Sequence, residues 1–235
     1  MRNSGSFLDW TSAFAPSIDE LAWFVLLFLF ELETYVMSDA DFTRARTLTL
    51  HGTRFICYLF LAHTLYAYAV SINDLRELAP IEDAGQLCQL SGADISFGSN
   101  LEYTQLNPTN CSSLSTGDKF YLIEDGAVVT DVPGLAIERQ LTWIDLMEAT
   151  IWLAILFCIE LKVRLQDRGI ASGRTVVAIT VTSLLLYGLL WLAAGYWIYR
   201  GHFMYAWDEA LWILGFSAIE MNLSEWKKEI IEARG

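Results

Sequence analysis

Five apolar runs dominate the chain, at approximately 18–37, 52–72, 145–166, 174–199 and 205–222. Each is about as long as the roughly 20 residues that a helix needs to cross a bilayer core of about 30 Å. A surface helix of a soluble domain carries a polar face along its length. These runs do not, and five of them in one chain would leave no amphipathic layer to cover them. The pattern predicts an all-α membrane protein of about five transmembrane helices. The segment before the first run offers Arg2 and then Asp9, Asp19 and Glu20, and the run is followed by Glu31-Leu32-Glu33-Thr34-Tyr35. A cleaved signal peptide needs a basic start and a small-residue cleavage site, so the first run is expected to stay as an anchor.

The longest polar interval is 73–144, enough for a small folded module. It divides the chain into 1–72 with spans 1 and 2, the 73–144 module, and 145–235 with spans 3 to 5 and a tail. Within the module, Phe120-Tyr121-Leu122-Ile123, then Glu124-Asp125-Gly126, then Ala127-Val128-Val129 read as a β-hairpin about a glycine turn. Cys88 and Cys111 are its two cysteines, and an oxidising compartment would staple a module otherwise poor in core. Cys57 and Cys158 fall inside spans and read as packing residues. Asn110-Cys111-Ser112 matches a glycosylation sequon, but with a disulfide candidate at its centre.

Charge orients the spans. Segments 24–54, 155–174 and 213–235 hold ten of the fifteen basic residues, in short connectors where the positive-inside rule has force. The expected topology has the N-terminus and the module outside and the C-terminus cytoplasmic, in a plasma or bacterial inner membrane. Eighteen of the 28 acids then fall outside, so the net charge of −13 sits on that face. Such a field concentrates cations and repels anions, and no nucleic acid is expected as a partner. An exported loop kept soluble by acids accounts for the same charge.

A repeat runs through the spans. Asp19, Trp23 and Glu31 recur as Glu148, Trp152 and Glu160, and again as Asp208, Trp212 and Glu220, all obeying acid-x3-Trp-x7-Glu-[Leu/Met]. Arg46-Thr47 and Arg174-Thr175 open the approaches to spans 2 and 4. Spans 1–2 and 3–4 thus read as two copies of a helical hairpin starting on the same side, with span 5 a half-copy, which is a parallel repeat rather than an inverted one. Trp to Glu is about 12 Å of rise and about 80° of rotation, so both fit on one broad face.

A carboxylate at that depth should face protein and find a partner. Arg54 is the expected partner of Glu31. Lys162, Arg164 and Arg174 are candidates for Glu160, and Lys227 and Lys228 for Glu220. Two readings stand for the three deep glutamates: structural ion pairs, or a cation or proton site. For Asp19, Asp145, Glu148 and Asp208 the expectation is helix N-capping, as in Ser17-Ile18-Asp19-Glu20 and Thr142-x-x-Asp145.

The remaining chemistry is mostly negative. No metalloprotease, nucleophile-elbow, P-loop or dinucleotide motif is present, so enzyme activity is not expected. His63 stands alone in span 2; a hydrogen-bonded packing role is favoured over a haem ligand or proton relay. Trp10, Trp23, Trp143, Trp197, Trp207 and Trp212 read as an aromatic belt at the outer interface. Gly188, Ala193, Ala194 and Gly195 make a small-residue face for close helix packing. Residues 222–231 continue as a charged helical tail that meets a partner or the membrane surface, or frays in solvent. Two functions from different classes follow. One is a cation channel or transport protein using Glu31, Glu160 and Glu220. The other is a non-catalytic membrane subunit or receptor whose external module binds a partner, as a homo-oligomer or within a larger membrane complex.

Overall fold

A computed structural model describes residues 15–37, 43–82, 84–92, 94–123 and 126–232. Expectations resting on Arg2, Asp9, Trp10, Asp39, Asp41, Glu124, Asp125, Arg234 and the Ser17 side chain lie outside the described residues. The protein is mostly helical, at 75%, with a small β-sheet. Helix α1 (Ala15–Glu31) runs into a π-helical turn at Leu32–Val36, and α2 spans Arg44–Glu77. A 3-10 turn at Leu87–Leu90 precedes β1 (Ser96–Ser99), β2 (Glu102–Gln105), the single-turn α3 (Cys111–Leu114), β3 (Phe120–Ile123) and β4 (Val128–Asp131). The chain ends in α4 (Val132–Asp167), α5 (Arg174–Tyr199) and α6 (Phe203–Glu232). Among the described residues two helices, α2 and α5, are long and apolar enough to cross a membrane.

Two compact units result, residues 66–147 and the remainder, with boundaries inside α2 and α4. The 66–147 unit holds a four-stranded sheet in the order β2-β1-β4-β3. The expected hairpin forms, with β3 and β4 antiparallel and Ile123 opposite Val128. A second hairpin, β1–β2, turns at Asn100 and Leu101, both at positive φ, and β1 pairs parallel to β4. Phe97, Phe120 and Val129 from the sheet, with Leu87, Leu106 and Cys111, form a small core. Cys88 and Cys111 are joined in a disulfide across a separation of 23 residues. Asn110 donates from Nδ2 to the Gln105 carbonyl at 2.9 Å, so its side chain is committed to the local turn. At the start of α4 the Asp131 carboxylate accepts from the Gly134 N–H at 2.8 Å, the bond that caps a helix N-terminus. Arg139 donates to the Leu75 carbonyl from Nε (2.9 Å) and Nη2 (2.7 Å), covering a carbonyl in the last turn of α2 that has no helical partner.

The other unit is a helix bundle. Gly169 and Gly201, at φ 71° and 87°, end α4 and α5 in the left-handed conformation that glycine takes at little cost. The returning N–H bonds, Ile170 to the Leu165 carbonyl (2.8 Å) and His202 to the Trp197 carbonyl (2.9 Å), close those ends and keep both connectors short. Side-chain contacts give the directions. Trp23 lies 5.8 Å from Trp152 and 6.3 Å from Trp212, while residues about six to ten positions further along the chain meet again through Arg54 and Asn222. Helices α1, α4 and α6 therefore run parallel. Thr64 with Asp19, and Arg54 with Leu29, set α2 antiparallel to α1. Trp197 with Glu148, and Ser183 with Lys162, set α5 antiparallel to α4. The core is closed along its length by Leu26, Phe30, Ile155, Ile159, Phe216 and Ile219. Cys57 and Cys158 are free and buried, as packing residues should be.

Several expectations fail here, each for a geometric reason. Helix α4 starts at Val132, so Asp145 and Glu148 lie more than three turns inside it and cap nothing; Thr142 bonds back to the Glu138 carbonyl instead. Asp19 and Asp208 likewise sit inside α1 and α6, which begin at Ala15 and Phe203. The tryptophan belt divides: Trp197 is buried and Trp23 and Trp212 pack on the core, whereas Trp143 and Trp207 are exposed. The small-residue face divides too, because Ala193 and Ala194 are buried while Gly188 and Gly195 have open space around them. The tail does not fray at its start: Leu223 is buried and Trp226 packs against the bundle core.

Candidate functional site

The repeated residues assemble two polar layers, one at each end of the bundle's core. The first is built round Arg54, which is only 1% exposed. Nη2 donates to the Glu33 carboxylate and to the Leu29 carbonyl (3.3 Å), and Nη1 donates to Glu160 Oε2 at 3.4 Å. The guanidinium carbon stands 4.1 Å above the Phe30 ring centroid. Glu160 Oε1 also accepts from Arg164, at 3.1 Å from each of Nε and Nη2, and the Arg164 side chain is 64% exposed. Next to this, Lys162 Nζ reaches both carboxylate oxygens of Glu220 (2.8 and 2.6 Å) and the Ser183 hydroxyl at 2.9 Å. Glu31 Oε2 accepts from Asn222 Nδ2 at 3.0 Å, and Gln166 donates to the Leu223 carbonyl at 2.9 Å.

All three deep glutamates thus face protein, but two of the expected pairings are wrong and the third is incomplete. Arg54 does not pair with Glu31. Residues two apart on a helix point about 200° from one another, and with the π turn following, Glu31 faces α6 while Glu33 faces α2. The same rule separates Glu160 from Lys162, which crosses to Glu220. Lys227 and Lys228 stand about two turns beyond Glu220 and are not its partners. Arg164 does hold Glu160, together with Arg54, and Arg174 is exposed at the start of α5. Glu33, Asn222 and Ser183 were not singled out from the sequence; the Glu31-Leu32-Glu33 alternation was the available signal, since one of two acids at that spacing must face away from the other.

In the second layer indole and hydroxyl groups donate to carboxylates. Trp197 Nε1 donates to Glu148 at 2.8 Å, Trp152 Nε1 to Glu209 at 3.3 Å, and the Thr64 hydroxyl to Asp19 at 2.7 Å. Trp23, Trp152 and Trp212 surround Phe216, with ring centroids 6.1, 5.3 and 6.4 Å from it. Asp208, the acid at the repeat position, is exposed, and its neighbour Glu209 takes the buried place. The two layers hold α1, α4 and α6 in register from both ends.

His63 is exposed on α2, so the packed, hydrogen-bonded role expected of it does not describe it. Among the described residues no group of three His, Cys, Asp or Glu side chains is placed to hold a metal ion. No protein-family model, no curated protein and no solved structure matches this chain.

Proposed function

We propose that the chain is an integral membrane protein of five membrane helices whose buried charges are structural. It serves as a non-catalytic subunit or receptor that offers its disulfide-stapled module to a partner outside the cytoplasm. One observation carries the membrane reading: the bundle turns the Arg54–Glu33–Glu160 and Lys162–Glu220 charges inward, in partnership, and large apolar side chains outward. Leu184 and Leu192 are 72% and 71% exposed, and Val177, Leu185, Phe55 and Leu59 share that condition. Soluble monomers rarely expose contiguous apolar surface beyond a few hundred Å². Arg54 with Glu33 and Glu160, and Lys162 with Glu220, are charged residues within the apolar runs or beside them that pair inside the bundle. Paired, inward-facing charge is the form in which ionisable residues are tolerated at membrane depth.

The same pairing favours a structural role over cation passage. Glu160 and Glu220 already carry Arg54, Arg164 and Lys162, so a permeating cation would have to compete with resident bases. The closed apolar core beside them supports the same preference. The module, in contrast, has its own sheet, its own core and a covalent staple, more than a connector between two helices needs. Replacing 78–131 by a short flexible linker keeps α2 and α4 whole. Pull-downs from native membranes with the intact and linker forms should then differ by at least one partner. Identical sets of partners would refute the receptor reading.

A further inference from the structure

Most buried acids of the bundle have a base, a hydroxyl or an amide to meet them. Glu209 is different. It is 8% exposed and is reached by one donor, the indole N–H of Trp152, while its Oε1 is buried with no hydrogen-bond partner. Among the described residues its one charged neighbour is Asp208, another acid on the same helix. The groups that α1, α4 and α5 bring to this end of the bundle are Asp19 and Glu20, Trp152, Glu148 with its Trp197 bond, and Arg200 and His202 at the end of α5 beside Trp197; of these, Trp152 is the one that reaches Glu209.

An ionised carboxylate in that setting is an unsolvated anion. Its burial is unfavourable by several kcal/mol unless a counter-charge comes with it. A single proton on Oε1 removes the charge, leaves Oε2 free to accept the indole N–H, and changes no heavy-atom packing. We infer that Glu209 is a proton-binding site inside the bundle, held as the neutral acid in the resting fold, with Trp152 as the group that reads its state. Loss of the proton would leave an anion that draws water or a cation to the α4–α6 contact, loosening the helix pair where the three repeat tryptophans meet. The inference does not depend on the membrane reading, since it follows from burial alone.

Infrared difference spectroscopy of the purified full chain in micelles tests it. Wild type minus Glu209→Gln, at neutral and mildly acidic pH, should show the carbonyl stretch of one protonated carboxyl that the variant lacks. Alkaline titration should remove that band together with a change in indole absorption, and the variant should show neither. Trp152→Phe keeps the carboxyl and loses its donor, so the band should shift and not vanish; this arm stands even if Glu209→Gln fails to assemble. Absence of a protonated-carboxyl band from wild type and Trp152→Phe alike would overturn the proposal. So would a wild type stabilised by sodium or potassium ions while Glu209→Gln is not, because Glu209 would then be an anion with a bound cation.

Discussion

Removing Arg54 should do more damage than any other single change in the bundle, and by an amount the structure lets one work out. Arg54→Met keeps much of the side-chain volume but strands the Glu33 and Glu160 carboxylates, whose side chains are 6% and 12% exposed, and the Leu29 carbonyl. Breaking a buried pair by deleting one partner costs about 3–5 kcal/mol, and losing the cation over the Phe30 ring adds about 0.5–2. Against a total stability of about 5–15 kcal/mol for a typical domain, that brings the bundle close to unfolding. Arg164→Ala, by contrast, removes an exposed i,i+4 partner of Glu160 worth about 0.3–0.5 kcal/mol. The penalty of Arg54→Met comes from leaving acids unpaired, so removing the acids with the base should recover most of it. The triple variant Arg54→Met, Glu33→Gln, Glu160→Gln should therefore melt well above Arg54→Met alone in detergent, followed by circular dichroism and retention in gel filtration. A triple variant as unstable as the single one, or an Arg54→Met that melts with wild type, would refute the reasoning.

Three further outcomes are expected. Lys162→Met should cost about 3–5 kcal/mol by the same logic, and adding Glu220→Gln should restore much of it, as read from the same melting curves. Cys88→Ser should destabilise the module by about 3 kcal/mol, the entropy of closing a loop across 23 residues; free thiols on both cysteines in non-reduced peptide mass spectra of native protein would contradict the staple itself. Liposomes carrying wild type should pass cations no faster than empty ones, and no faster than those carrying Glu31→Gln, Glu160→Gln and Glu220→Gln together. A flux present in wild type and lost in that variant would favour transport over the structural account.

Much of this architecture was legible in the residues. The 174–199 run became α5 with the same bounds because its ends are marked by Gly173 and by Gly201 two residues beyond it. The acid-Trp-Glu spacing marked Trp23, Trp152 and Trp212 at equivalent positions of their runs, and Trp23 lies beside both of the others. What hydropathy missed were helical extensions through polar sequence. Helix α4 starts thirteen residues before its apolar run, where Asp131, followed by Pro133 in the first turn, was a readable start signal. The β1–β2 hairpin was hidden because its turn places Leu101 at φ 60°, a position at which glycine or asparagine is the usual sign. Partner choice was the least legible. Glu31 against Glu33, and Lys162 against Glu160, are settled by rotation about helix axes and by which neighbour lies across the groove, and a linear spacing does not carry that.

The central claim is that the bundle spans a membrane with α1, α4 and α6 running outward to inward. Single cysteines at Ser172, in the α4–α5 connector, and at Phe203, just past the α5–α6 turn, test it directly. Both positions are exposed, while the native Cys57 and Cys158 are buried and Cys88 and Cys111 are bonded. In intact cells a membrane-impermeant maleimide should label Phe203→Cys at once and Ser172→Cys only after permeabilisation. Equal labelling of the two without permeabilisation, or recovery of the chain in the soluble fraction, would contradict the account.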